Sequence, residues 1–77
     1  MPNQLVSNGP AIKALRLRTG IAQGDFAKRI GVTQGALSHI EKNTYRASDE
    51  LTRRIADELG VPLDAVTRLV RTTEAVA

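Results

Sequence analysis

At 77 residues the chain has room for one small domain and none for a separate catalytic one, and an apolar fraction of 42% suffices for a modest core. It contains no Cys and a single His, which excludes disulfides, thiolate metal sites and an imidazole cluster. The net charge of +3 is divided unevenly: residues 1–46 hold seven basic against two acidic side chains, a balance of +5, and residues 47–77 hold four against six, a balance of −2. Such a basic half either faces a polyanion or is a chance scatter of solvated charge, and charge alone does not separate the two.

Glycine and proline cut the sequence into segments whose apolar residues recur three and four apart, the mark of amphipathic helices, with no strand-like alternation. A first helix is predicted from Asn8 or Gly9 to Gly20, with Pro10 tolerated in its opening turn and Ile12 and Leu15 on one face. A second runs from Gln23 to Ile30, burying Phe26, Ala27 and Ile30, and Gly31 stops it. A third follows after only Gly31-Val32-Thr33, with Thr33 as N-cap, Leu37 and Ile40 turned inward and Asn43 as its stop. Ser48 caps a fourth, striped by Leu51, Ile55 and Leu59 and closed by Gly60. Pro62 opens a short fifth through about Leu69. The expected architecture is therefore all-α, with a flexible segment at 1–8, a five-helix domain at 9–69 and a tail at 70–77.

The shortest connection is the informative one. Two helices joined by three residues including Gly cannot lie antiparallel, and the connection forces a steep crossing of about 90–120°. That geometry exposes one side of the second helix as a rod narrow enough for the major groove of DNA. With Leu37 and Ile40 buried, the outward arc of the third helix holds Thr33, Gln34, Gly35, Ser38, His39 and Lys42. No acid stands among them, whereas an ordinary solvated face of this length carries one or two.

These residues resemble a known family. Ile12-x-x-Leu15-Arg16, Gly20-Ile21-Ala22-Gln23, Phe26-Ala27, Ile30-Gly31-Val32-Thr33, Leu37-Ser38-x-Ile40-Glu41 and Ile55-Ala56-x-x-Leu59-Gly60-Val61 occur in the order and spacing of Cro/lambdoid-repressor-type helix-turn-helix domains. The resemblance spans Ile12 to Leu69 and implies a lambda-repressor-like DNA-binding fold. It implies a phosphate contact from Gln23, at a helix start that attracts anions in its own right. Gln34 can pair bidentately with adenine, and Ser38 and His39 lie one turn on, where the family varies its residues to choose sequence; Gly35 permits close approach, and His39 is alternatively just solvated. Arg16 and Glu41 correspond to an internal ion pair that fixes the recognition helix, the alternative being two exposed charges. Thr33, Lys42, Arg46, Arg18 and Lys13 are the remaining phosphate candidates. The chain departs from the pattern at Ala22, which offers no cap, at Gly24, at Asn43 in place of a glycine, and at Arg46-Ala47-Ser48.

The function expected on these grounds is a sequence-specific regulator of transcription that binds double-stranded DNA, a dimeric repressor on a palindromic operator with recognition helices about 34 Å apart. Its homodimer surface is expected at the fifth helix and beyond, from Val61, Val66, Leu69 and Val70. An antitoxin that binds a toxin partner and autoregulates through DNA is the alternative, and a protein-binding adaptor on the same fold is a third reading. No enzymatic activity, metal or cofactor is expected, because no paired carboxylates, glycine-rich phosphate loop or nucleophile–base arrangement is present. Without a signal peptide's apolar run or a span of about 20 apolar residues, the expected location is the cytoplasm of a bacterial cell, at the nucleoid, with no membrane partner.

Overall fold

In the computed structural model, which describes residues 3–71, four helices are closed off by a sheet built from the two ends of that stretch. The order is β1 (Asn3–Ser7), α1 (Gly9–Thr19), α2 (Gln23–Ile30), α3 (Gln34–Glu41), α4 (Asp49–Leu59), a 3-10 turn (Leu63–Val66) and β2 (Thr67–Arg71). Three of the four α-helices begin at a side-chain cap. Asn8 accepts a hydrogen bond from the Ala11 N–H at 3.2 Å, Thr33 from Ala36 at 3.1 Å and Ser48 from Leu51 at 3.1 Å, so each supplies an acceptor for an otherwise orphaned first-turn donor. Ala22 leaves α2 without a side-chain cap, as its methyl requires. Asn43 sits at φ 61° directly beyond α3, a left-handed conformation that Asn adopts more readily than most residues.

The apolar stripes of all four helices meet in one core: Ile12 from α1, Phe26, Ala27 and Ile30 from α2, Leu37 and Ile40 from α3, and Ile55, Ala56 and Leu59 from α4. Val66, from the 3-10 turn, completes it.

The ends of the chain depart from the all-α expectation. Instead of a fifth helix from Pro62 to about Leu69, one 3-10 turn is followed by a strand, and residues 3–7, expected outside the domain, form that strand's partner. The two run antiparallel, with Gln4 opposite Val70, Leu5 opposite Leu69, Val6 opposite Arg68 and Ser7 opposite Thr67. The reason lies in burial. Val6 and Val70 occupy the inner face and are buried, an alternation of period two that a helix could not reproduce. The Asn8 N–H donates to the Val66 carbonyl at 2.8 Å, which fastens the start of α1 to the start of β2.

Candidate nucleic-acid interface

The site begins with the turn. Gly31 adopts φ 80°, the left-handed conformation that lets α2 stop and the chain reverse within the Gly31-Val32-Thr33 connection. Val32 packs partly buried against the core and pins that turn from beneath. α3 then buries Leu37, Ile40 and Glu41 and leaves Gln34, Gly35 and His39 exposed, with Ser38 half-buried between them. Thr33 and Lys42, at the two ends of the same arc, are exposed as well. The polar arc read from the sequence is thus a continuous outward surface.

What holds that surface in place is a chain of polar contacts that starts in the interior. Arg16 of α1 donates from Nε to Glu41 Oε2 at 2.7 Å and from Nη2 to Glu41 Oε1 at 3.2 Å, with side chains only 7% and 2% exposed. Its Nη1 donates to the Ile21 carbonyl at 2.9 Å, so the guanidinium fork is tied both to α3 and to the loop before α2. Glu41 Oε1 also accepts from Gln23 Nε2 at 3.0 Å, and Gln23 Oε1 accepts from Gln34 Nε2 at 3.3 Å. The order Arg16, Glu41, Gln23, Gln34 leads from a buried charge to the tip of the exposed face. Gln34 spends one N–H on Gln23 and keeps its amide oxygen and second N–H, the acceptor and donor that an adenine edge requires.

Two contributions to this geometry were not legible as function in the sequence. Gly24, a weak point for a helix, is where a Cβ would stand 3.1 Å from Gln34 Oε1, so its missing side chain makes room for that amide over the start of α2. Asn43, read as a helix stop, also accepts from the Gly9 N–H at 2.8 Å through Oδ1, while a Cβ on Gly9 would overlap the carbonyl oxygens of Ile40 and Glu41. The end of α3 and the beginning of α1 therefore touch backbone to backbone. Both contacts join residues 10 or more positions apart, beyond the reach of local pattern.

His39 is exposed, and its Nδ1 lies 3.1 Å from Thr44 Oγ1, whose hydroxyl donates to the His39 carbonyl at 3.1 Å. This contact occupies Nδ1 and leaves Nε2 open for other partners. Lys13, Arg18, Lys42 and Arg46 are all exposed, on α1 and on the end of α3 and the loop after it, while Gln23 is half-buried at the first position of α2. The four apolar residues assigned to a dimer surface do not form one. Val66 and Val70 are buried in the chain's own core and under its sheet, Val61 packs against that core, and Leu69 alone is open to solvent, at 61% exposure. The fifth helix that was to present them together does not form.

The family model for helix-turn-helix domains matches residues 12–66, from within α1 to the end of the 3-10 turn. The chain belongs to the Cro/C1-type helix-turn-helix family. This helix-turn-helix domain is similar to the clp gene regulator ClgR from Corynebacterium glutamicum, at 28% identity and a TM-score of 0.71 over 74% of its length, and it spans 62% of that regulator's chain. It is similar at 27% identity and a TM-score of 0.69 to the P22 c2 repressor solved in complex with a synthetic operator, over 73% of this chain and 85% of that one. SinR, a master regulator for biofilm formation solved in complex with DNA, matches at 28% identity and a TM-score of 0.67, over 73% and 90% of the two chains. No curated protein matches the domain in sequence. Both strands of the sheet lie outside the residues that the family model matches. Among the described residues no helix is long and apolar enough to cross a membrane.

Proposed function

We propose that this helix-turn-helix domain is a sequence-specific, double-stranded-DNA-binding regulator of transcription, a repressor that occupies a palindromic operator as a two-fold dimer. One observation carries the reading: the outward side of α3 is polar and free of carboxylates because Glu41, the helix's single acid, is turned inward and paired with Arg16. A phosphate backbone approaching that side meets no like charge, and Lys42 at its end, Arg46 in the loop beyond, and Lys13 and Arg18 on α1 are exposed to serve as further phosphate contacts. Gln34 is the principal base reader, presented by its bond to Gln23, with Ser38 and His39 as further readers and Gly35 admitting the base edges closely. Thr33 and Gln23, at two helix N-termini, complete the phosphate contacts. The repressor role is supported by the likeness to the P22 c2 repressor. The protein works without catalysis, inside a bacterial cell at its DNA.

Selection of bound sequences from random duplexes at physiological salt tests the proposal. The expected result is a palindrome with an adenine in each half-site. Replacing Gln34 by Ala should then abolish the preference at that base, at a cost of about 1–3 kcal/mol per contact, and leave thermal stability unchanged because the side chain is exposed. With about three phosphates neutralised per half-site, log affinity should fall with log salt at a slope near −5. Unenriched duplexes, or a Gln34→Ala variant that selects the wild-type sequence, would overturn the reading.

A further inference from the structure

The connection between α2 and α3 hinges on one peptide plane. Its oxygen is the Ile30 carbonyl, the last of α2, and its N–H is that of Gly31, the residue whose φ of 80° turns the chain toward α3. A peptide plane moves as a rigid unit, so whatever holds these two atoms fixes the direction in which the chain leaves α2. The Gly31 N–H donates to the Lys28 carbonyl at 3.2 Å, and the Val32 N–H donates to the Ala27 carbonyl at 2.9 Å. Those bonds close the end of α2 as a left-handed glycine allows. They leave the Ile30 oxygen among the orphaned carbonyls of a helix end.

A side chain from another helix takes that oxygen. Arg54 of α4 donates to it from Nη1 at 3.0 Å, across 24 positions of sequence. Its Nη2 donates to Glu50 Oε1 at 3.3 Å, one turn earlier on α4, so a second contact steadies the fork. Gly31 admits the guanidinium closely, since a Cβ there would stand 3.3 Å from Nη1. The cation also meets the negative end of the α2 dipole. Although the Arg54 side chain is 49% exposed, it is poorly placed to bind phosphate, because two of its nitrogens are engaged and the Glu50 carboxylate stands beside it.

The start of α3 needs such a fixture. Its first buried residue is Leu37, whereas Gln34 and Gly35 are exposed and Ala36 is half-buried. The connection before that turn therefore holds it more than the core does, and any rotation of the Ile30–Gly31 plane displaces Gln34, four positions beyond Ile30. Gln23 ties Gln34 to the start of α2, and Arg54 secures the end of the same helix. We propose that Arg54 is a positioning residue for DNA recognition: it clamps the Ile30–Gly31 peptide plane from α4 and so sets where the first turn of α3 presents Gln34. The inference rests on the DNA-binding reading above.

Amide hydrogen exchange of the full chain tests the clamp without DNA. Arg54→Met keeps an apolar stem and deletes the donors; exchange at Gly31 and Val32 should quicken about tenfold, while Ile55 and Leu59 in α4 keep their wild-type rates. Arg54→Lys, which retains the charge and a donor, should return both turn amides to within about threefold of wild type. Arg53→Met removes the neighbouring arginine, which leaves α4 about 100° further round and lines the hollow beside β1, and should change neither amide. With the selected duplex, Arg54→Met should lower adenine discrimination about fivefold and leave the salt slope at its wild-type value, since no phosphate contact is lost. Turn amides at wild-type rates, or rates that rise equally in α4, overturn the clamp. A salt slope reduced by about 0.9 per half-site would make Arg54 a phosphate contact, and equal losses on matched and mismatched duplexes would make it a stabilising residue only; either overturns the positioning role. Failure of the DNA reading is a separate result. When no duplex is enriched, faster exchange confined to the turn upholds the clamp, and unchanged exchange still defeats it.

Discussion

Between α1 and α3 a buried charge is surrounded by partners, and every step from Arg16 through Glu41 and Gln23 to Gln34 is a polar contact. The β1–β2 sheet is organised the other way. Its outer leucines are uncovered, and on its inner side Arg68 Nε is buried with no hydrogen-bond partner among the described residues. Where an exposed amide must point in a defined direction, polar anchoring from beneath restricts its rotamers at little cost in charge. Where strands have only to close off a core, shape and apolar area suffice, and polar atoms beneath them need not be so completely matched. The two regions thus embody different demands on a protein's polar atoms.

The largest test of this contrast is to break the anchor. Arg16→Met leaves the Glu41 carboxylate buried without its bidentate partner, and the expected loss is about 3–5 kcal/mol in urea unfolding. A small domain has about 5–15 kcal/mol in all. The double variant Arg16→Met, Glu41→Leu removes both charges and should recover most of that stability while leaving Gln23 without its acceptor. Recovered stability with lost operator discrimination would assign the pair to positioning; a single variant within about 1 kcal/mol of the wild type would place the ion pair on the periphery instead.

A smaller test compares one long-range hydrogen bond from each region. The Asn43 Oδ1 accepts from Gly9 across 34 positions, and Ser7 Oγ accepts from the Ala47 N–H across 40, at 2.8 and 3.1 Å. Asn43→Gly keeps the left-handed backbone and deletes the acceptor, and Ser7→Ala deletes the other; each should cost about 1 kcal/mol. Asn43→Ala, which must also adopt positive φ, should cost about 2 kcal/mol. Function should separate what stability does not. Losing the Asn43 bond loosens the end of α3 and should weaken operator binding, whereas Ser7→Ala should leave it unchanged. Equal effects on binding would mean that both ends of the chain position α3.

How far the sequence could be read follows the same division. The helix starts at Asn8, Thr33 and Ser48 and the stops at Gly20, Gly31 and Gly60 are signals within a turn of the positions they control, so the four helices were legible. The outward arc of α3 followed from Leu37 and Ile40 alone, and the Arg16–Glu41 pair from resemblance. The sheet was not legible, because Val66, Leu69 and Val70 are spaced as a helix would space them, and the strand that overrides this pattern lies more than sixty positions away. For the same reason the burial of Val66 and Val70 cannot be read locally: it depends on the sheet and on the core, not on their neighbours in sequence.

The smallest expected effect is the most discriminating, because two terms of opposite sign meet at Gly24. Alanine there improves the first turn of α2 by roughly 0.5 kcal/mol, equivalent to about 2–4 °C in Tm for a domain of this size. Its Cβ would also stand 3.1 Å from Gln34 Oε1, closer than comfortable contact. The atom that must give way is the far end of an exposed, flexible side chain, so the shift is cheap and stability should rise. The bond from Gln34 to Gln23 is the cost, and adenine discrimination should fall several-fold while thermal stability improves. Differential scanning calorimetry together with competition between matched and mismatched duplexes measures both. A less stable Gly24→Ala domain would mean that Gln34 is held too firmly to yield, and that the polar chain is stiffer at its exposed tip than its 3.3 Å link implies.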